Sequence, residues 1–266
     1  MSRFRRFSAV AAAISAAVLI SACGGGDSTE TSTGGNSGPN DSGPVVAVIS
    51  DVSVSTKPER VQGGTYEQGW MDTARATAAA RGSLWASAAD GQTLANSSWL
   101  VNGYGFKDPQ VGSDLLKDAA LKKQADELQP KAREILSVNR NGSDLLGALF
   151  AASRLYADYP DRDRALVLLT DGGITTGGIN IAKNLPTTDA ERTQAIQRLK
   201  KNGQLADLTG GSGEPVRVWM GGLGKGIGQN NPSKTTAVIA LWESLIPAAG
   251  GKLISQDSNL RLVEFP

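Results

Sequence analysis

Val45-Val-Ala-Val-Ile-Ser-Asp51-Val-Ser53-Val-Ser55 decides how the rest of the chain is read. Its first five residues are all apolar, three valines and an isoleucine among them, the pattern of a strand buried on both faces. The run then breaks into Asp51-x-Ser53-x-Ser55, a carboxylate and two hydroxyls packed together. With Asp51 where the strand stops, all three oxygen groups emerge at the carboxyl edge of a sheet. Open α/β sheets place their ligands at that edge.

Working outward, the pattern repeats. Ala165 to Leu169 is a second buried strand running into Thr170-Asp171-Gly172-Gly173, and Pro215 to Met220 is a third inner strand followed by the glycine-rich 221–228. Lys252 to Ile254 reads as a last short strand, and Ser98 to Val101 as another, closed by an Asn102-Gly103 turn. Helical composition or periodicity marks Thr65 to Ala80, Gly112 to Leu136 with a break at Pro130, and Ser143 to Tyr156 after an Asn141-Gly142 turn. Thr187 to Ala206 is a charged surface helix, and Thr235 to Ile246 a helix stopped by Pro247. Ser83 to Ala95 is ambiguous, a short helix ending at Asp90-Gly91 being one reading. Strands alternating with helices imply an α/β fold, a mostly parallel sheet covered on both faces.

Composition narrows the chemistry. The 266 residues contain no histidine, which removes a Ser-His-Asp triad, histidine zinc ligation and a histidine base. The single cysteine, Cys23, excludes an intramolecular disulfide and a thiolate cage. A metal held by this chain is therefore held by oxygen, which favours Mg²⁺, Mn²⁺ or Ca²⁺. With 27 basic and 26 acidic residues there is no basic stripe to recommend nucleic acid as a partner.

The first 22 residues read as a secretory signal, with Arg3, Arg5 and Arg6 ahead of the apolar run Ala9 to Ile20. That run is short of the roughly 20 residues a membrane span requires. Ile20-Ser21-Ala22-Cys23 resembles the bacterial lipobox, which implies lipidation of Cys23 and anchorage on the extracytoplasmic side of a bacterial envelope. Residues 23–44 are Gly, Ser, Thr, Asn, Asp, Glu and Pro after the cysteine, with no large apolar residue, a flexible tether reaching roughly 25 Å. The folded unit then spans 45–266.

Three chain segments converge on one edge of the expected sheet: Asp51, Ser53 and Ser55; the Gly142-Ser143 turn; and Asp171. Two carboxylates and three hydroxyls form a hard-oxygen site for a divalent cation. Only two negative charges are supplied, so the cation keeps affinity for a carboxylate from another molecule. This constellation resembles the von Willebrand factor A family and its metal-ion-dependent adhesion site, over about residues 45–256. The resemblance rests on Asp51-Val-Ser53-Val-Ser55, Gly142-Ser143-Asp144-Leu145 and Thr170-Asp171-Gly172. It implies a Rossmann-like three-layer fold, Asp51 and Asp171 as metal carboxylates, Ser53 and Ser55 as direct ligands, and Ser143 where the family usually has threonine. Serine keeps the hydroxyl but loses the methyl that stiffens the rotamer.

Other motifs carry less. Asp-x-Ser-x-Ser on its own fits a capped turn, Ser143 an N-cap and Asp144 a helix-dipole residue. Thr170 closes its strand. Gly222-Leu-Gly-Lys-Gly-Ile-Gly228 departs from both the phosphate-loop and the dinucleotide patterns, so it reads as a loose loop beside the rim. Trp70, Trp85, Trp99, Trp219 and Trp242 read as core or edge packing residues. The leading expectation is a lipid-anchored module that binds a protein partner's Asp or Glu through the metal, with no catalytic residue. A metal-dependent hydrolase using Asp51 or Ser53, and a solute-binding lipoprotein, are the alternatives. Partner identity and oligomeric state are not legible.

Overall fold

The computed structural model describes residues 42–93, 98–227 and 231–257. The stretch expected as a secretory signal, Cys23 and nearly all of the expected tether lie outside the described residues, as do Gly228 and the chain beyond Asp257.

Six strands form one sheet in the order β3-β2-β1-β4-β5-β6. They are β1 (Val45–Asp51), β2 (Ser83–Ala89), β3 (Val101–Gly105), β4 (Arg164–Leu169), β5 (Val216–Gly221) and β6 (Gly251–Asp257). Every pairing is parallel except β2 with β3, so the sheet is mostly parallel with one antiparallel edge. The helices are α1 (Thr65–Ala79), α2 (Asp114–Asp126), α3 (Gln129–Ser137), α4 (Leu145–Ala157), α5 (Asp189–Lys201) and α6 (Pro232–Ala248), with a 3₁₀ segment at Val54–Arg60. The result is a three-layer α/β fold.

Strand alternation builds the layers. Val45, Ala47 and Ile49 of β1 join a core with residues of α4, α5 and α6, whereas Val46 and Val48 join a second core with α1, α2 and α3. Successive side chains of a strand point to opposite faces, so a strand covered on both sides must be apolar throughout. The continuous apolar runs in β1 and β4 follow from that. Polar side chains set the helix ends. Asp144 accepts from the Gly147 amide at the start of α4, Thr188 and Glu191 make a capping box on α5, and Asn231 caps α6 ahead of Pro232.

Several expectations are corrected. Ser83–Ala89 is a strand, not a helix: its alanines occupy the buried slot between β1 and β3, where tertiary pairing overrides propensity. The strand expected at Ser98 to Val101 instead begins at Val101 and runs through Asn102-Gly103. Gly103 sits at φ +67°, and a Cβ there would stand 3.1 Å from the Trp85 ring, so glycine serves close packing rather than a turn. α6 continues past Pro247, which lies in its final turn and removes only one N–H from the ladder.

Candidate functional site

Strand order locates the functional edge. β1 is followed by β2 on one side while β4 flanks it on the other, so the carboxyl ends of β1 and β4 border the switch-point crevice. In the β1/β4 register Ser50 faces Leu169, which sets Asp51 abreast of Thr170 and Asp171 one residue beyond. Both carboxylates are fully buried.

Hydrogen bonds hold Asp51 from three directions. Its Oδ1 accepts from the Ser53 amide at 2.9 Å. Its Oδ2 accepts from the Thr170 hydroxyl at 2.9 Å and the Ser143 hydroxyl at 3.1 Å. Ser53 and Ser55 hydroxyls meet at 3.2 Å. Asp171 accepts from the Gly173 amide at 2.8 Å through Oδ1, but its Oδ2 is buried with no hydrogen-bond partner. Asp51, Ser53, Ser55, Ser143 and Asp171 thus gather at one edge.

The supporting bonds explain the loop geometry. Thr56 donates to the carbonyls of Asp51 and Ser53, and buried Arg60 donates to Ser53 O, Leu136 O and Val138 O, clamping the Asp51–Ser55 turn to the end of α3. Ser143 is fixed by a two-way tie, its amide to the Thr175 hydroxyl and its carbonyl from the Thr175 amide. Asp144, rather than Ser143, is the N-cap of α4, which leaves the Ser143 hydroxyl for Asp51.

Electrostatics mark the place as short of positive charge. Burial, reinforced by the Asp171 charge, raises the Asp51 carboxyl from its ordinary value to about 6, against the hydrogen bonds from Ser53 and Thr170. Burial also raises Asp171, opposed by the nearby Ser55 hydroxyl, which comes close without making a hydrogen bond to Oδ2, and by the Gly173 amide. Below them the Tyr66 hydroxyl is buried without a partner, and burial with the negative charges of Asp51 and Asp171 raises its pKa. Two buried carboxylates so close, with one orphaned oxygen, are the environment a cation relieves. Among the described residues no three Asp, Glu, Cys or His side chains cluster, so any cation here relies on hydroxyls beside two acids.

Above the carboxylates opens a cleft of about 430 Å³, whose lining includes Ser53, Ser55 and Ser143 together with Gly226, Ile227 and Lys234. The 222–227 loop is pinned rather than loose: Gly224 N–H donates to Asp171 O at 2.9 Å, and Lys225 pairs with Glu59 at 3.0 Å. A Cβ on Gly226 would lie 2.3 Å from Asp171 Oδ2, so only glycine lets the loop approach. Thr170, Thr175, Gly226 and Lys234 are the site residues that sequence reasoning missed. Thr170, adjacent to Asp171, and Gly226, inside the glycine-rich 221–228, carried a local signal; Thr175 and Lys234 did not.

No protein-family model matches the chain, and no curated protein matches it. Similar solved structures include the pilus adhesin SpaC from Lactobacillus rhamnosus GG in its open conformation, at 12% identity and TM-score 0.49, covering 81% of this chain and 28% of that one. A von Willebrand factor type A protein from Catenulispora acidiphila is similar at 16% identity and TM-score 0.33, covering 79% and 43%. An aerotolerance-related membrane protein from Bacteroides fragilis is similar at 14% identity and TM-score 0.40, covering 82% and 94%. The chain thus spans less than half the length of the first two. The fold class rests on the strand order and layers described above.

Proposed function

We propose that this protein is an extracytoplasmic binding module that recruits a protein partner through a divalent cation at the edge formed by Asp51 and Asp171. The observation that carries this reading is the pairing of two fully buried carboxylates at the switch point, with Asp171 Oδ2 unpartnered. Asp51, Ser53, Ser55, Ser143 and Asp171 are the oxygen donors that would hold Mg²⁺, Mn²⁺ or Ca²⁺, matching the adhesion-site resemblance of the sequence. The chemistry the ion supplies is that of a Lewis acid open to a partner's Asp or Glu. Thr170 and the Ser53 amide keep the Asp51 carboxylate oriented, while Arg60 holds the turn that presents both serines.

Anchorage through a lipid on Cys23 belongs to the same proposal, with the module tethered to a bacterial membrane. Among the described residues no helix is long and apolar enough to cross a membrane. Fractionation of Cys23→Ser would test this, a shift from the membrane to the soluble fraction being the supporting result.

Calorimetry with Mg²⁺ or Mn²⁺ on the purified full-length protein, beside Asp51→Ala and Asp171→Ala, tests the metal reading. Saturable binding in the wild type and none in the variants supports it. Equal heats in all three reject it.

A further inference from the structure

The cleft above the carboxylates has a charge pattern that metal binding leaves unused. Lys234, in the first turn of α6, lines the cleft and is half-buried. Among the described residues its ammonium has neither ion pair nor hydrogen bond. Lys225 in the neighbouring loop, by contrast, is neutralised by Glu59. Next to lining residues in the chain stand two more cations and one acid: Arg140 precedes Asn141, Lys183 follows Ala182, and buried Asp144, the N-cap of α4, follows Ser143. Arg140 and Lys183 are exposed and neither is paired among the described residues. No aspartate or glutamate lines the cleft. Lys234 is thus the charged residue of the lining, set above the two buried carboxylates.

A divalent ion held by Asp51 and Asp171 is neutralised by them, and one partner carboxylate then makes the centre negative. A free cation in the same cleft offsets that charge and leaves room for a further acid. Val54, Ile181 and Ile227 supply apolar walls, which lower the local dielectric and strengthen a charge pair. In an extended segment, acids two residues apart point to the same side at roughly 6.6 Å separation.

From this pattern we infer that the cleft recognises an acidic protein segment with at least two carboxylates, one directed to the divalent site and one paired with Lys234. Arg140 and Lys183 add steering at the rim, felt in the association rate and its salt dependence. This rests on the metal reading and adds the partner's chemistry to it.

The experiment is a double-mutant cycle on the full-length protein in saturating Mg²⁺, with Mg²⁺ affinity measured first on each sample. The probes are acetyl-Gly-Asp-Ser-Glu-Gly-amide and the same peptide with Gln for Glu, against wild type and Lys234→Met. The second acid is expected to tighten binding about fivefold on wild type and not at all on the variant, with Mg²⁺ affinity in the variant no weaker. An equal gain on both proteins overturns the pairing with Lys234. Failure of either peptide to bind a protein that takes up Mg²⁺ normally overturns the acidic-segment ligand but not the metal site. Failure to take up Mg²⁺ overturns the metal reading itself. Tighter, Lys234-dependent binding of inorganic polyphosphate would replace the acidic segment with a phosphate ligand.

Discussion

The two ends of the sheet use charge in opposite ways. At the amino ends of the strands, Arg164 is buried and spends its guanidinium on Thr209 O, Ser212 Oγ and Glu214 O. Arg162 donates to Gly43 O at 2.8 Å, and Arg217 lies 3.8 Å from Asp163 and 5.8 Å from the Trp219 ring centre. At the carboxyl ends, two carboxylates are buried together with no direct ion pair among the described residues, the Arg60 guanidinium being spent on backbone carbonyls nearby, while Asp171 Oδ2 has no hydrogen-bond partner and Lys234 is unpaired above them. At the first end Arg164 and Arg162 spend their charges on chain carbonyls and hold the chain together. The other leaves two buried carboxylates without an ion pair among the described residues, which is what the proposed cation would balance.

That contrast can be broken by experiment. The largest expected effect lies at the satisfied end: Arg164→Met should lose about 3 kcal/mol in urea denaturation, because three acceptors go unmet. Its Mg²⁺ affinity should not change. Mg²⁺ at about 100 times its dissociation constant should raise stability by about 2.7 kcal/mol in wild type and in Arg164→Met alike, and by nothing in Asp51→Ala. An Arg164 variant that lost the metal increment would show that the two ends are coupled.

The pH response sharpens the same contrast. The folded Asp51 carboxyl titrates at about 6 and Asp171 is also raised, so between the ordinary carboxylate value and pH 6 the folded chain holds protons the unfolded chain has released. In chelator, this contribution is full below the ordinary value and is lost as pH rises toward and through 6. Glu67, held down by the Gly63 amide and by Arg133 and Gln129 despite burial, works the other way and is lost as pH falls below the ordinary value. Denaturation midpoints from pH 3.5 to 7 in wild type and Asp51→Asn separate the two. The smallest effect is Ser143→Ala, expected to weaken Mg²⁺ about fivefold by removing one hydroxyl, with little change in stability.

How legible each part was follows from where its cause lies. β1, β4 and β5 announce themselves because a doubly covered strand must be apolar along its length, and Val45 to Ile49 obeys that locally. β2 did not, since Ser-Leu-Trp-Ala-Ser-Ala-Ala reads equally as helix until β1 and β3 lie on either side of it. Gly103 looked like a turn because its reason, the Trp85 ring, comes from another strand. In the site, the Asp51 cluster is contiguous and Asp171 follows a clear strand, so both could be picked out. Thr170 needed the β1/β4 register, Gly226 a contact across 55 residues of chain, and Lys234 a helix start folded over the cleft.

The most direct test is a crystal soaked in Mn²⁺ and measured for anomalous scattering. The account predicts one strong peak at the carboxyl edge, touching Asp51 or Asp171 and the hydroxyls of Ser53, Ser55 and Ser143. Manganese bound only elsewhere, with Asp51 and Asp171 keeping the contacts they have now, would contradict it.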